Sequence, residues 1–443
     1  MSPLQIVAVA LTVVLNALDG FDVLSISFAS PDIAKAWSVD KAALGRLLSM
    51  ELIGMMVGSV LLGGLADKLG RRPTILGCLT IMAIGMAMAA QAHGLTDLSI
   101  WRLLTGVGIG GMLAATNAAA AEFSNLKRRG LSLSLMAIGF PLGGVIGGQV
   151  VGALLKGGDW RQIFVFGAIA TASLVPVVWF FMPETVTFLA QRRPADALGK
   201  INRVLIRLGR RAIAALPAPD PATPTATLSD LLKPPYLILS IILITGYFAH
   251  MVSFYFLIKW APKIAVDALH VAPGMAAGVL TWANLGGAVG GGIFGLLTAR
   301  FGLRGLTIVT LLGSSVMIAV YGLGQTSLTQ MSLVAAATQF FANAGVVGLY
   351  SLAARTYPPE LRGTGTGLMI GLGRGGAAVS PILVGWLFQQ HFGLANTALT
   401  VAAGSLVAAG ILAFLRPVSW ATTPTGEGRS SRITSAAAQP DRV

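Results

Sequence analysis

Charge is scarce in this chain. Of its 443 residues, 11% are Asp, Glu, Lys or Arg, where a soluble domain carries roughly a quarter. That excludes an ordinary soluble fold. Cysteine is scarcer still: the one present, Cys78, sits inside an apolar run. It excludes a disulfide framework and any cysteine-based metal cluster. No metal-ligand grouping and no nucleophile–base pair stands out in the apolar runs, so neither a cofactor nor an enzyme activity is expected. A cleavable leader is also not expected. Met1 to Leu18 has no basic stretch ahead of its apolar residues, and the run continues through Asp19 and Asp22. The glycine-rich runs are not phosphate cradles, because no Gly-Lys-Ser/Thr follows them.

What is present is hydrophobic. Apolar residues make up 55% of the chain, and the mean hydropathy is +0.77. A membrane-spanning helix takes about 20 apolar residues. Runs of that kind fall at 4–31, 43–66, 73–92, 97–122, 131–155, 161–182, 236–262, 274–298, 304–324, 328–354, 363–388 and 393–415. The pattern predicts an all-α polytopic membrane protein with twelve transmembrane helices. It divides into an N-terminal six-helix half (1–182), a central loop and linker (183–235), a C-terminal six-helix half (236–416) and a disordered tail (417–443). The central segment opens with basic, helix-compatible sequence from Arg192 to Arg211, then becomes a Pro/Ala/Thr linker from Leu216 to Thr227.

A formal net charge of +14 would suggest nucleic acid for a soluble protein. Here the basic residues sit in alternate loops: Lys68, Arg71 and Arg72; Lys127 to Arg129; the central segment; Arg300 and Arg304; Arg355 and Arg362. The positive-inside rule makes those loops cytoplasmic, together with both termini, in a cell inner membrane. The charge is topology, and no nucleic-acid partner is needed. The halves also repeat. Residues 63–72, Gly-Gly-Leu-Ala-Asp-Lys-Leu-Gly-Arg-Arg, have a degenerate counterpart at 295–304, and Arg129-Gly130 corresponds to Arg362-Gly363. Parallel halves of this kind imply a pseudo-two-fold axis along the membrane normal and a site near the midplane.

The stretch 63–72 resembles the signature loop of the major facilitator superfamily. In physical terms Asp67 and Arg71 form a latch, with Gly63 and Gly70 allowing close approach and a tight turn. Within that superfamily the chain resembles the aromatic acid:proton symporter family over nearly its whole length. The matching residues are Asp19-Gly20-Phe21-Asp22, Trp101 to Gly106 with Gly108 and Gly110, Glu122, Trp260 with Pro262 closing span seven, Tyr357 to Gly363, and Gly373-Arg374-Gly375 with Pro381. It departs from the family pattern at Ala114 and Asn117, at Lys259 and at Glu51.

An ionised side chain at a helix centre costs roughly 2.5–3.5 kcal/mol on insertion scales, so such residues face the bundle interior and pair. By depth, Asp22, Glu51 and Arg102 are expected to meet as two carboxylates around one guanidinium, with Asp19 one turn deeper. Proton coupling is one reading of that cluster; a static ion pair is the other. Arg374, near the middle of span eleven, either holds a carboxylate in a bidentate fork or serves as a structural partner; Arg102 is the second candidate for the anion. Tyr247, His250 and Phe254 form one helical stripe in span seven, suited either to an aromatic ring or to packing. Gln339, Asn343 and Tyr350 form a weaker stripe in span ten, and Asn284 of span eight is expected to face the cavity. Trp260 and Trp101 are expected as interfacial anchors. The ladder Gly363, Gly367, Gly371 and Gly375, like the glycines from 143 to 152, is expected to flank the interface between halves.

The family resemblance implies proton-coupled uptake of an aromatic carboxylate, such as a hydroxybenzoate, by alternating access in a monomer. Its expected partners are the organic anion, protons and the lipid bilayer. Proton-driven export of organic acids or drugs, symport of a non-aromatic acid, and a non-transporting membrane sensor are the alternatives.

Overall fold

The structure, a computed structural model, describes residues 1–125, 128–216, 228–231, 233–234, 236–298, 300–358 and 361–414. The expected linker is almost wholly outside these residues, and the expected disordered tail lies entirely outside them. No strand occurs among the described residues.

The first six spans are α1 (Pro3–Ala36), α2 (Lys41–Leu69), α3 (Arg71–Ala90), α4 (Leu95–Phe123), α5 (Arg129–Leu154) and α6 (Arg161–Phe181). Three short helices follow: α7 (Val186–Arg192), α8 (Ala197–Arg207) and α9 (Leu228–Leu231). The last six spans are α10 (Tyr236–Leu269), α11 (Pro273–Leu297), α12 (Leu303–Gly322), α13 (Leu328–Thr356), α14 (Arg362–Gln389) and α15 (Gly393–Phe414). Twelve of these helices are long and apolar enough to cross a membrane. Their helical backbones bond within themselves, which the bilayer core demands. Caps set several ends. Ser2 and Gln5 form a capping box at α1, and the Asp40 carboxylate accepts from the Ala43 N–H at 2.7 Å at α2.

Two spans run further than the apolar pattern suggests. Pro31 and Pro262 were natural stopping points, yet α1 continues to Ala36 and α10 to Leu269. A proline is tolerated inside a buried membrane helix because neighbouring groups satisfy the backbone it frees. Trp260 consequently lies in the interior at 1% exposure, edge-on to Phe388 with centroids 5.3 Å apart, and is not an interfacial anchor. The basic part of the central segment folds as α7 and α8, which pack on each other through Phe188, Leu189, Ile201 and Val204.

Packing repeats between the halves. In the first, α2 and α3 pack on α4, α3 on α6, and α1 on α5; in the second, α11 and α12 pack on α13, α12 on α15, and α10 on α14. A Cβ at Gly54 or Gly58 would overlap the carbonyls of Leu103 and Val107; one at Gly286 or Gly290 would overlap those of Ala336 and Phe340. These glycine pairs are separated by the same spacing as segments 63–72 and 295–304. The halves meet where α2 packs on α14, α5 on α11, and α1 on α10.

The interface between halves is uneven. Away from the basic loops, Gly45 abuts Pro381, Gly148 abuts Thr281 and Gly152 abuts Gly274. The stripe of α14 that carries Gly385 and Pro381 continues through Arg374 to Gly371, Gly367 and Gly363. At those last three glycines an added Cβ would meet nothing within 4 Å. The first three glycines of the expected ladder thus lie on an interface helix without close neighbours; over that stretch the tight contacts of α14 fall within its own half, at Gly365, Gly373 and Gly376. Close cross-half contacts thus fall on the side away from the basic loops, while the α14 glycines toward the basic side have no close neighbour.

Candidate functional site

The signature loop builds its turn from glycine chemistry. Gly70, at φ 113°, links α2 to α3, and a side chain there would collide with the Glu184 carboxylate. Arg71 donates from Nη1 to Asp67 Oδ1 at 2.7 Å and to the Ala66 carbonyl at 2.8 Å, and its Nη2 reaches Glu122 Oε1 at 2.9 Å. The Glu184 carboxylate caps α3, accepting from the backbone N–H groups of Arg71 and Arg72 at 3.0 and 3.2 Å. An anion at a helix N-terminus is stabilised by the orphan N–H groups and the dipole. Burial nonetheless pushes the Glu184 carboxyl above the usual carboxylate range, against those N–H bonds and nearby Arg71. None of these bonds reaches the C-terminal half. Gly63 contributes no close approach, since its nearest neighbour would be Ala114 Cβ at 3.4 Å, an ordinary contact. The close approaches on α2 occur at Gly54 and Gly58 within the half and at Gly45 across the halves.

The buried charge cluster is arranged differently from its sequence-based expectation. Glu51 Oε1 lies 2.6 Å from Arg102 Nη2, and Glu51 Oε2 lies 3.4 Å from Lys259 Nζ; all three side chains are fully buried. One carboxylate sits between two cations, rather than one guanidinium between two carboxylates. Arg102 reaches Asp22 through its backbone carbonyl at 2.9 Å, not its carboxyl group. Its other contacts are Met86 Sδ at 2.9 Å and the Phe164 ring at 5.5 Å. Lys259 spans the two halves, donating to the Val23 carbonyl at 2.6 Å.

Asp19 and Asp22 are the unusual members. Both are buried, and none of their four carboxyl oxygens has a hydrogen-bond partner among the described residues. The charge of Arg102 reaches Asp22, and that of Arg374 reaches Asp19. Arg374 also lies within electrostatic range of Tyr247 and Tyr255. It is half-buried and takes part in none of the described ion pairs. The interior therefore holds three acids (Asp19, Asp22, Glu51) and three cations (Arg102, Lys259, Arg374), contributed by both halves.

The span-seven stripe divides by function of geometry. His250 has both ring nitrogens engaged: Nε2 with the Ala342 carbonyl and Nδ1 with Ser405 Oγ, each at 2.9 Å. A carbonyl only accepts, so Nε2 carries the proton and Nδ1 accepts from the serine. His250 thus ties α10 to α13 and α15 inside one half, with no nitrogen left for a ligand. Tyr247 meets Tyr350 hydroxyl to hydroxyl at 2.9 Å. Phe254 faces a small pocket between the halves that also includes Asn284, Gln339 and Asn343. Asn284 donates to the Leu280 carbonyl of its own helix, and Asn343 to the Gly287 carbonyl at 2.6 Å.

Sequence reasoning passed over the roles of Lys259, Glu184 and Glu122. Lys259 was hidden by the early end assigned to span seven, which put it near the membrane surface. With α10 running to Leu269, it lies about 15 Å inside that end.

Comparison with known proteins follows the same lines. The family model described as the Major Facilitator Superfamily matches residues 12–278 and 244–440. A gallate transporter of Pseudomonas putida is 29% identical over 383 residues, covering 85% of this chain and 84% of that protein. A 3-(3-hydroxy-phenyl)propionate transporter of Escherichia coli (strain K12) is 30% identical over 401 residues, covering 90% of each. Among solved structures, a D-xylose-proton symporter superposes with a TM-score of 0.71 at 16% identity, covering 93% of this chain and 98% of that one.

Proposed function

The chain belongs to the major facilitator superfamily, and from that premise we propose that it carries an aromatic carboxylate inward together with a proton, by alternating access across a bacterial inner membrane. The observation that carries this reading is the pair of buried, unpartnered carboxyl groups of Asp19 and Asp22 beside two guanidinium groups. An ionised carboxylate without a partner is costly in an apolar interior, and such groups neutralise by binding a proton. Asp19 and Asp22 are the proton carriers in this proposal. Glu51 and Arg102 fix the local field around them. Arg374 takes the substrate carboxylate, since it is cationic, half-buried and near Tyr247 and Tyr255. The named substrates of similar proteins, gallate and 3-(3-hydroxyphenyl)propionate, support an aromatic acid.

The conformational cycle follows from the uneven interface. The basic side is cytoplasmic by the positive-inside rule, as are both termini, so the state described here opens inward. Lys259, bonded to Val23 and Glu51 across the halves, holds the outer side shut. Rocking to the outward-open state would break those contacts and close the bare Gly363–Gly371 stripe of α14 against the facing half. The Asp67–Arg71 latch, with Glu122 and Glu184, would then stabilise the closed cytoplasmic side. A single copy contains all of these parts, so a monomer suffices.

The energetics are consistent with import. One proton entering with one monoanion moves no net charge, and each pH unit of inside-alkaline gradient is worth about 1.36 kcal/mol, or about tenfold accumulation. The test is uptake into proteoliposomes under an imposed inside-alkaline gradient, with labelled 4-hydroxybenzoate, protocatechuate, vanillate, benzoate and a hexonate. Protonophore-sensitive accumulation of an aryl acid is expected. Expulsion of preloaded acid would indicate antiport, and accumulation of the hexonate alone would discard the aromatic ring.

A further inference from the structure

Gln339 of α13 is 2% exposed, and neither its amide oxygen nor its amide nitrogen has a hydrogen-bond partner among the described residues. Leaving a buried amide unsatisfied is costly, and native interiors rarely tolerate it without purpose. This amide lines a pocket of about 40 Å³ between the halves, bounded by Phe140 and Pro141 of α5, Phe254 of α10, Asn284 of α11 and Asn343 of α13.

The pocket is polar but carries no charge. Each amide NH₂ has two N–H donors, and Asn284 and Asn343 spend one each on the Leu280 and Gly287 carbonyls, which leaves one N–H and the amide oxygen of each. With Gln339, the lining supplies amide donors and acceptors and no cation. A carboxylate would find no counter-charge there. A phenolic hydroxyl donates one hydrogen bond and accepts others, so it fits both the amide oxygen and the NH₂ group. The pocket has room for a hydroxyl-sized group, and the ring would lie against Phe254.

We infer that Gln339, assisted by Asn284 and Asn343, is a specificity-determining residue that reads a ring hydroxyl, so that the substrate is a hydroxylated aryl acid rather than a bare one. This rests on the proposal that the site takes aromatic carboxylates, and it assigns the end of the ring away from Arg374.

The test is equilibrium binding to the purified full-length protein in detergent, without a gradient, using benzoate, 3-hydroxybenzoate, 4-hydroxybenzoate and 3,4-dihydroxybenzoate. The wild type is expected to prefer the best hydroxylated acid over benzoate by about tenfold or more, because a site built for a hydroxyl rejects the analogue that lacks it. In Gln339→Met, of similar length but without the amide, that ratio should fall toward one; Gln339→Asn should retain part of it. A wild-type ratio near one overturns the inference with no variant needed. An undiminished ratio in a monodisperse Gln339→Met protein overturns it as well. If no aryl acid binds at all, the aromatic-acid proposal falls and this inference falls with it. Binding with discrimination but without gradient-driven uptake would remove proton coupling and leave Gln339 in its role.

Discussion

Replacing Lys259 by methionine tests whether one ammonium group holds the outer side closed. Lys259 Nζ reaches the Val23 carbonyl at 2.6 Å and Glu51 Oε2 at 3.4 Å, and both partners belong to the opposite half. A hydrogen bond to a charged group is worth about 1.5–3 kcal/mol. Methionine keeps most of the volume, and removing a buried ammonium relieves a desolvation cost that offsets part of the loss. Glu51 does not become an unpaired charge, because Arg102 remains 2.6 Å away. A net loss of about 1–2 kcal/mol from the outward-closed state shifts the equilibrium by roughly 5- to 30-fold toward outward-open. The assay is a distance distribution between spin labels, one at His93 and one at Thr326, exposed positions on that side of each half. The sole cysteine, Cys78, is buried, which favours selective labelling of introduced cysteines. A longer component should grow on the outer side in Lys259→Met, and the wild-type distribution should return in Lys259→Arg. Unchanged distances in Lys259→Met, or tighter closure, would refute the reasoning.

Three further outcomes are expected. Asp22→Asn should abolish gradient-driven accumulation in proteoliposomes while substrate exchange down its own gradient persists; wild-type accumulation would remove Asp22 from proton coupling. Arg374→Lys should weaken aryl acid binding by about tenfold in a direct binding measurement, because a point charge replaces a bidentate fork, and unchanged affinity would return Arg374 to a structural role. Gly367→Leu places bulk where an added Cβ meets nothing within 4 Å in this state. It should therefore bind substrate with the basic side open but fail to transport, and normal turnover would argue against closure of that stripe.

The helical framework was legible because hydropathy reports the bilayer directly: length and apolar run decide where a span falls. Its errors came from proline. Pro31 and Pro262 read as ends in sequence, but within a membrane bundle they are carried inside α1 and α10. The error at Pro262 hid Lys259, and with it the partner that changes the meaning of the buried cluster. Depth arguments brought Glu51 and Arg102 together correctly, since both are fixed on helices of known direction. They could not decide which face of α1 would present Asp22, because that depends on rotation about the helix axis. His250 illustrates the same limit. Its place on the Tyr247–Phe254 stripe was correct, but its partners Ala342 and Ser405 come from α13 and α15, far away in sequence. Glycine was an uneven guide: Gly144, Gly148 and Gly152 meet the other half as expected. The ladder from Gly363 to Gly371 looked like a packing face but has no close neighbours, while tight contacts fall at Gly54, Gly58, Gly286 and Gly290. Spacing identifies a possible contact face, but only the neighbouring helix decides whether it is filled.

The buried charges and the uneven interface bear on one another. Glu51 is held from its own half by Arg102 and from the other half by Lys259. The same Arg102 reaches the Asp22 backbone and lies in the field of the Asp22 carboxyl group. Any change in the charge of Asp22 therefore acts on Arg102, through it on the Glu51 pair, and so on Lys259, which bridges the halves. A proton on Asp22 would leave Arg102 fully committed to Glu51. Loss of that proton would offer Arg102 a second carboxylate and loosen its hold on Glu51, which strengthens the claim of Lys259 on that acid and the closure it maintains. Under the proposed mechanism, proton release toward the cytoplasm would favour the outward-closed state that permits it, and protonation from outside would accompany the opposite state. Such coupling would need no long pathway, because Arg102 and Glu51 link Asp22 to the cross-half contact of Lys259.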